Sequence, residues 1–170
     1  MKKPSLIVAA VLAALATSAA VAATTSSTFQ VLITVTKACS VTAGAGSNIN
    51  FGSVTSTATA LSASSNISVT CSKSTPYNIG LQPSSVPTNT TGAGVMNPTV
   101  AGPDTIPYQL RSVSATGPIW GNTATPTAVG NGVAGTGTGA AQSIPVFATV
   151  ASVNVTPGDY SDTVTVQVNY

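Results

Sequence analysis

The chain has 170 residues, of which 43% are hydrophobic and only 5% charged, with two cysteines, no histidine and no glutamate. That length suits one domain, and the few scattered Lys and Arg residues exclude a nucleic-acid surface, which needs clustered basic groups. The missing His and Glu also leave almost nothing for general acid–base work or a metal site.

Residues 1–23 read as a secretory signal peptide. Lys2 and Lys3 open it, an apolar run fills 5–16, and Ala20-Val21-Ala22 supplies small residues for cleavage after Ala22 or Ala23. About 147 residues then remain, enough to bury one core. Their bases (Lys37, Lys73, Arg111) balance their acids (Asp104, Asp159, Asp162), so the mature net charge is zero. A neutral surface repels copies of itself only weakly. In a secreted chain an even cysteine count reads as a disulfide, here Cys39 to Cys71. Closing that loop contributes roughly 3–4 kcal/mol in the chain-entropy model.

The first mature stretch, residues 28–35 (TFQVLITV), alternates. Phe29, Val31, Ile33 and Val35 share one face, with Gln30, Leu32 and Thr34 on the other. Period-two alternation of β-branched and aromatic residues predicts a strand. No turn folds it back onto a neighbour, so it serves either its own domain or another copy. Residues 48–52 (NINFG) read as a brief strand ending in a turn, and 53–63 as a loop or weak edge. Residues 66–71 place Ile67, Val69 and Cys71 inward, and 76–81 place Tyr77, Ile79 and Leu81 on one face. The stretch 82–107 is rich in Pro, Gly, Thr and Asn and predicts a long surface excursion carrying Met96. Residues 106–113 resume strand character, and 118–121 hold the single tryptophan, Trp120, as a core or loop-anchoring residue.

Residues 122–141 again read as loop. Within them Gly130-Asn131-Gly132-Val133-Ala134-Gly135 spells GxGxxG, but no βαβ pattern surrounds it and no acidic residue follows, so loop composition accounts for it. Residues 143–150 are a strand, and 156–159 (TPGD) a turn. The final 160–170 (YSDTVTVQVNY) has the cleanest alternation, with Val164, Val166 and Val168 against Thr165, Gln167 and Asn169. No mature segment has helical periodicity. Short strands joined by Gly/Pro-rich turns indicate an all-β sandwich. The last strand, ending at Tyr170, has nothing after it to flank its far side.

Several pieces, in order, resemble a known family. They are Thr28-Phe29-Gln30-Val31 and Val35 leading to Cys39-Ser40-Val41, then Asn50-Phe51-Gly52, Ile67-Ser68-Val69-Thr70-Cys71, Pro107-Tyr108-Gln109-Leu110 and Trp120-Gly121. The most specific is the run from Pro157-Gly158-Asp159-Tyr160 through Ser161-Asp162-Thr163 to Val166. Together they cover nearly the whole mature chain. The chain resembles the spore coat protein U domain, the pilin fold of archaic (Csu-type) chaperone–usher pili. It departs from the pattern before Met96, where Gly94 and Val95 stand instead of the family's Arg, and in the Gly/Ala-rich 122–141.

The resemblance implies an incomplete immunoglobulin-like β-sandwich lacking its last strand and completed by donor-strand exchange. It implies three segments: signal peptide 1–23, donor strand 24–36 and pilin domain 37–170. Phe29, Val31, Ile33 and Val35 would be the donor residues, and Val164, Val166, Val168 and Tyr170 the acceptor groove and chaperone contact. The implied partners are other copies in a head-to-tail homopolymer, a periplasmic chaperone and an outer-membrane usher, with no nucleic acid, small-molecule substrate, cofactor or metal. The implied place is an extracellular pilus serving attachment and biofilm formation. The length suits a shaft subunit, because a tip subunit of the family is expected to carry a second, binding domain. The competing readings are a carbohydrate-binding adhesin domain and a spore-coat or envelope protein that does not polymerise. An enzyme is not expected.

Overall fold

The computed structural model describes residues 22–170. The expected signal peptide lies almost wholly outside them. The chain divides into two units, Met1–Thr34 and Val35–Tyr170, two residues before the expected boundary at 36. In the first unit the described residues form neither helix nor strand, and Phe29, Val31, Leu32 and Ile33 are 82–88% exposed. The alternation over 28–35 predicts a strand, and none is formed. A strand is held by a ladder to a neighbour, and among the described residues this segment has none.

The second unit is all-β. Its strands are β1 (Cys39–Thr42), β2 (Thr59–Cys71), β3 (Pro76–Pro83), β4 (Ala93–Pro98), β5 (Ile106–Arg111), β6 (Val133–Thr136), β7 (Ala141–Ser152), β8 (Tyr160–Ser161) and β9 (Val164–Asn169). A six-stranded sheet runs β1-β2-β7-β5-β4-β8, and a three-stranded sheet runs β6-β3-β9. All pairings are antiparallel.

The long β2–β7 pair forms the spine of the larger sheet, with Ile67 opposite Ile144 and Ser65 opposite Val146. Alternation sends Ile67, Val69, Val146, Ala148 and Val150 into the core and leaves Ser62, Ser64 and Asn66 in water. From the smaller sheet Tyr77, Ile79 and Leu81 enter the same core. Trp120 closes it. The indole is fully buried, and its Nε1–H donates to the Ile79 carbonyl at 2.9 Å. A buried indole N–H needs such a partner.

Four further segments, all in the second unit, differ from the sequence-based expectation. Residues 48–52 form no strand, for want of a partner. The stretch 82–107 is not bare loop but contains β4, whose Met96 lies opposite Ile106. Its Gly94 permits this, because a Cβ there would fall 2.3 Å from Cζ of Tyr108. Residues 122–141 contain β6, held by β3, and there Gly135 lies equally close under the Tyr77 ring. The glycines of the GxGxxG run thus serve packing. Finally, 160–170 is two strands: β8 pairs with β4 in the larger sheet and β9 with β3 in the smaller.

Candidate functional site

β9 is the edge of its sheet. It pairs with β3 on one side, from Val164 opposite Pro83 to Asn169 opposite Asn78, and among the described residues has no ladder on the other. Its inward residues Val164, Val166 and Val168 are only half-buried, although they pack against the core. An open edge carrying apolar side chains is a template for another strand.

Beside that edge the two sheets gape. A cavity of about 480 Å³ is lined by Val164 and Val166 on one wall, by Ile49 and Phe51 on the other, and by Leu81 and Leu110 among others at its floor. A second cavity, of about 380 Å³, continues past Met96 and Tyr160 to Leu61, Ile106 and Val153. Both share Ile49, Asn50, Phe51, Met96 and Tyr160, so they are two lobes of one cleft.

The wall opposite β9 is residues 48–51. Here Asn48 and Asn50 are exposed while Ile49 and Phe51 are half-buried, an alternation without a ladder. Among the described residues, the backbone N–H groups of Ile49, Asn50 and Phe51 have no hydrogen-bond partner. Both walls of the cleft therefore carry backbone without a ladder partner among the described residues.

One end of the cleft is fixed by Asp162, at the point where the chain crosses from β8 to β9. Its carboxylate accepts from the Ser85 hydroxyl (2.5 Å), the Ser85 N–H (3.2 Å), the Tyr108 hydroxyl (2.8 Å) and the Thr163 N–H (2.8 Å). Ser85 Oγ in turn accepts from the Val95 N–H at 2.9 Å. The network ties β4, β5 and the β3–β4 connection to the crossing point. Burial, together with the Asp162 carboxylate as acceptor and as charge, pushes the Tyr108 phenol far above its ordinary value. Nearby, Asp104 accepts from the Thr156 N–H at 2.8 Å and from the Thr156 hydroxyl, which holds the carboxyl below its ordinary value. The Tyr160 hydroxyl donates to the Thr156 carbonyl at 2.7 Å.

The residues singled out by sequence are distributed as follows. Val164 and Val166 line the cleft. Val168 packs on the core opposite Ile79. Tyr170 is 38% exposed, and the Lys37 ammonium lies 5.8 Å from its ring centroid. Phe29, Val31, Ile33 and Val35 are exposed. Cys39 and Cys71 are disulfide-bonded and lie opposite each other in the β1–β2 ladder. Sequence reasoning missed Met96, Tyr108, Tyr160 and Asp162 as cleft residues. The alternation of Ile49 and Phe51 was a usable signal for the second wall. The sequence set Asp162 only within the family's most specific run; its role at the cleft was not legible, because apart from the adjacent Thr163 N–H its donors come from residues 54 and 77 positions away.

The family model described as "Spore Coat Protein U domain" matches residues 25–167. The chain belongs to that family. Among solved structures it is similar to one described as the CsuC–CsuE chaperone–tip adhesion subunit pre-assembly complex from archaic chaperone–usher Csu pili of Acinetobacter baumannii. The identity is 26% and the TM-score 0.52, over 81% of this chain. The match spans 40% of the solved relative's own length. A search of curated proteins found no match. The family is structural rather than enzymatic, and the all-β pair of antiparallel sheets is similar to the fold of the Csu subunit.

Proposed function

We propose that the protein is a structural subunit of an archaic chaperone–usher pilus, an immunoglobulin-like sandwich short of one strand that polymerises by strand exchange. The single observation that carries this is the cleft with unpaired backbone on both walls, in a chain that also presents an unpaired alternating apolar segment. Residues 24–36 of one copy enter the cleft of the next, between β9 and residues 48–51. Phe29, Val31, Ile33 and Val35 fill it, and the wall at 48–51 gains the ladder partner it lacks.

The energetics suit a stable fibre. Four apolar side chains going from exposed to buried contribute about 1.5–3 kcal/mol each, roughly 6–12 kcal/mol together, with ladder hydrogen bonds in addition. A one-residue slip would turn all four outward, so the register is strict. The contact is heterologous and does not close, so it propagates as a filament. Because one chain holds both arm and cleft, it serves as an interior, shaft-type subunit. Before assembly a periplasmic chaperone fills the cleft, as the chaperone in the related complex suggests, and an outer-membrane usher exports the subunit. Val164, Val166, Val168 and Tyr170 contact that chaperone. The fibre stands at the cell surface and serves attachment and biofilm formation.

The test is deletion of residues 24–36 with co-expression of the cognate chaperone. The expected product is a soluble one-to-one complex that forms no polymer. Val31→Asp or Ile33→Asp in the full chain should likewise block fibre growth while chaperone binding survives. Polymers from the deletion variant would overturn the proposal.

A further inference from the structure

The root of the arm is fastened to one spot. The Ala38 N–H donates to the Ser72 hydroxyl oxygen at 2.9 Å, and the Ser72 N–H donates to the Ala38 carbonyl at 2.9 Å. The Ser72 hydroxyl reaches that carbonyl at 3.2 Å. The next residue, Cys39, is joined covalently to Cys71. Ser72 therefore grips both peptide groups of the last residue before the bridge. Just beyond, the turn is closed by Thr75 N–H to the Ser72 carbonyl (3.1 Å) and by Gly137 N–H to the Thr75 carbonyl (2.7 Å), and it leads straight into β3. β3 carries β9, the first wall of the cleft.

We propose that the Cys39–Cys71 bridge with Ser72 is a tension clamp, which routes a pull on the arm directly to β3 and β9 and keeps it off the second wall of the cleft. This rests on the reading above, in which the arm is held by a neighbouring copy. Two routes lead from the arm into the body. Along the chain, a pull meets the four-residue β1, then the short 3-10 turn Ala45–Ser47, then residues 48–51. β1 is held by four residue pairs to β2. Pulled from its end it peels one pair at a time, and once peeled it drags the wall that grips the next copy's arm. Through the disulfide, the pull bypasses all of residues 40–70 and enters the smaller sheet beside β9. The covalent route does not peel. Tension arriving at a subunit's own arm thus reaches the cleft through β9, which is laddered to β3, and not through residues 48–51, which have no ladder of their own.

The experiment is single-molecule force spectroscopy on the chain from Thr24 to Tyr170, with handles at its two ends. The oxidised protein is compared with the Cys39→Ser/Cys71→Ser double variant, and with wild type reduced after folding so that the result does not depend on the variant's folding. Without the bridge, an early low-force step of about 7 nm is expected, from release of residues 39–58 at about 3.5 Å each. The oxidised chain should lack it. In a strand-exchanged pair of copies, loss of the bridge should shorten the lifetime under tension at least tenfold, while dissociation without tension changes less than twofold. A single unfolding event at unchanged force, or equal acceleration with and without tension, would overturn the clamp. If no strand-exchanged pair forms, the polymer reading fails, and the step in the single chain still decides the clamp.

Discussion

The arm offers two neighbouring residues of the same size with opposite expected roles. Ile33 is 88% exposed and Leu32 82%. In the proposed donor register Ile33 would enter the cleft and Leu32 would face out. Ile33→Ala removes three carbon groups at about 0.8 kcal/mol each, roughly 2.4 kcal/mol of transfer free energy. A cleft that cannot collapse around the gap adds a cavity cost, within the ~2–5 kcal/mol span of such truncations. At about 1.4 kcal/mol per decade, affinity should fall roughly 50-fold or more. Leu32→Ala should change it by no more than about 0.5 kcal/mol, as for an ordinary surface site. The assay is calorimetric titration of the chain lacking 24–36 with synthetic peptides covering 24–37, supported by their dissociation rates. Equal losses for the two substitutions would refute the assigned register. A larger loss for Leu32→Ala would mean that the opposite face is buried.

Three further outcomes are expected. Gly94→Ala should destabilise by about 1–3 kcal/mol in chemical denaturation, because the added methyl meets the Tyr108 ring. Tyr108→Phe removes a hydrogen bond to a carboxylate and should cost about 1.5–3 kcal/mol. Since the folded-state pKa of Tyr108 is raised, its contribution is complete below the ordinary phenol value of 10.0 and is lost as pH rises beyond it. Melting temperature should therefore fall above about pH 10 in wild type and fall less in Tyr108→Phe. Asp104 is the reverse case. Its lowered folded-state pKa gives a contribution present above the ordinary 3.8 and lost as pH falls below it, so Asp104→Asn should flatten the acid side of the same melting profile.

Alternation made the core legible. It placed Ile67, Val69 and Cys71, then Tyr77, Ile79 and Leu81, inside a sandwich, and all six are buried there. The cysteine count gave the disulfide that the structure contains. Periodicity failed wherever a strand depends on its neighbour more than on its own residues. Ala93–Pro98 holds two glycine or proline residues in six, and becomes a strand because β5 pairs with it and Tyr108 lies on Gly94. Residues 28–35 and 48–51 have the pattern without the neighbour, and neither forms a strand. At 160–170 the alternation is real, but periodicity cannot say which sheet a residue joins. That is settled by Ser85 and Tyr108 drawing in the Asp162 carboxylate. The cleft was legible along its β9 wall and, in the alternation of Ile49 and Phe51, along its second wall, but its polar end was not, since the donors to Asp162 from Ser85 and Tyr108 come from distant parts of the chain.

The lone indole has a practical consequence. Trp120 is the only tryptophan in the sequence, is sealed from solvent, and is bonded to Ile79, which lies opposite Val168 of β9. Its emission belongs to one chromophore, one strand away from the open edge. Quenching and spectral position should therefore follow occupancy of that edge in real time, with no label attached and no second source to subtract.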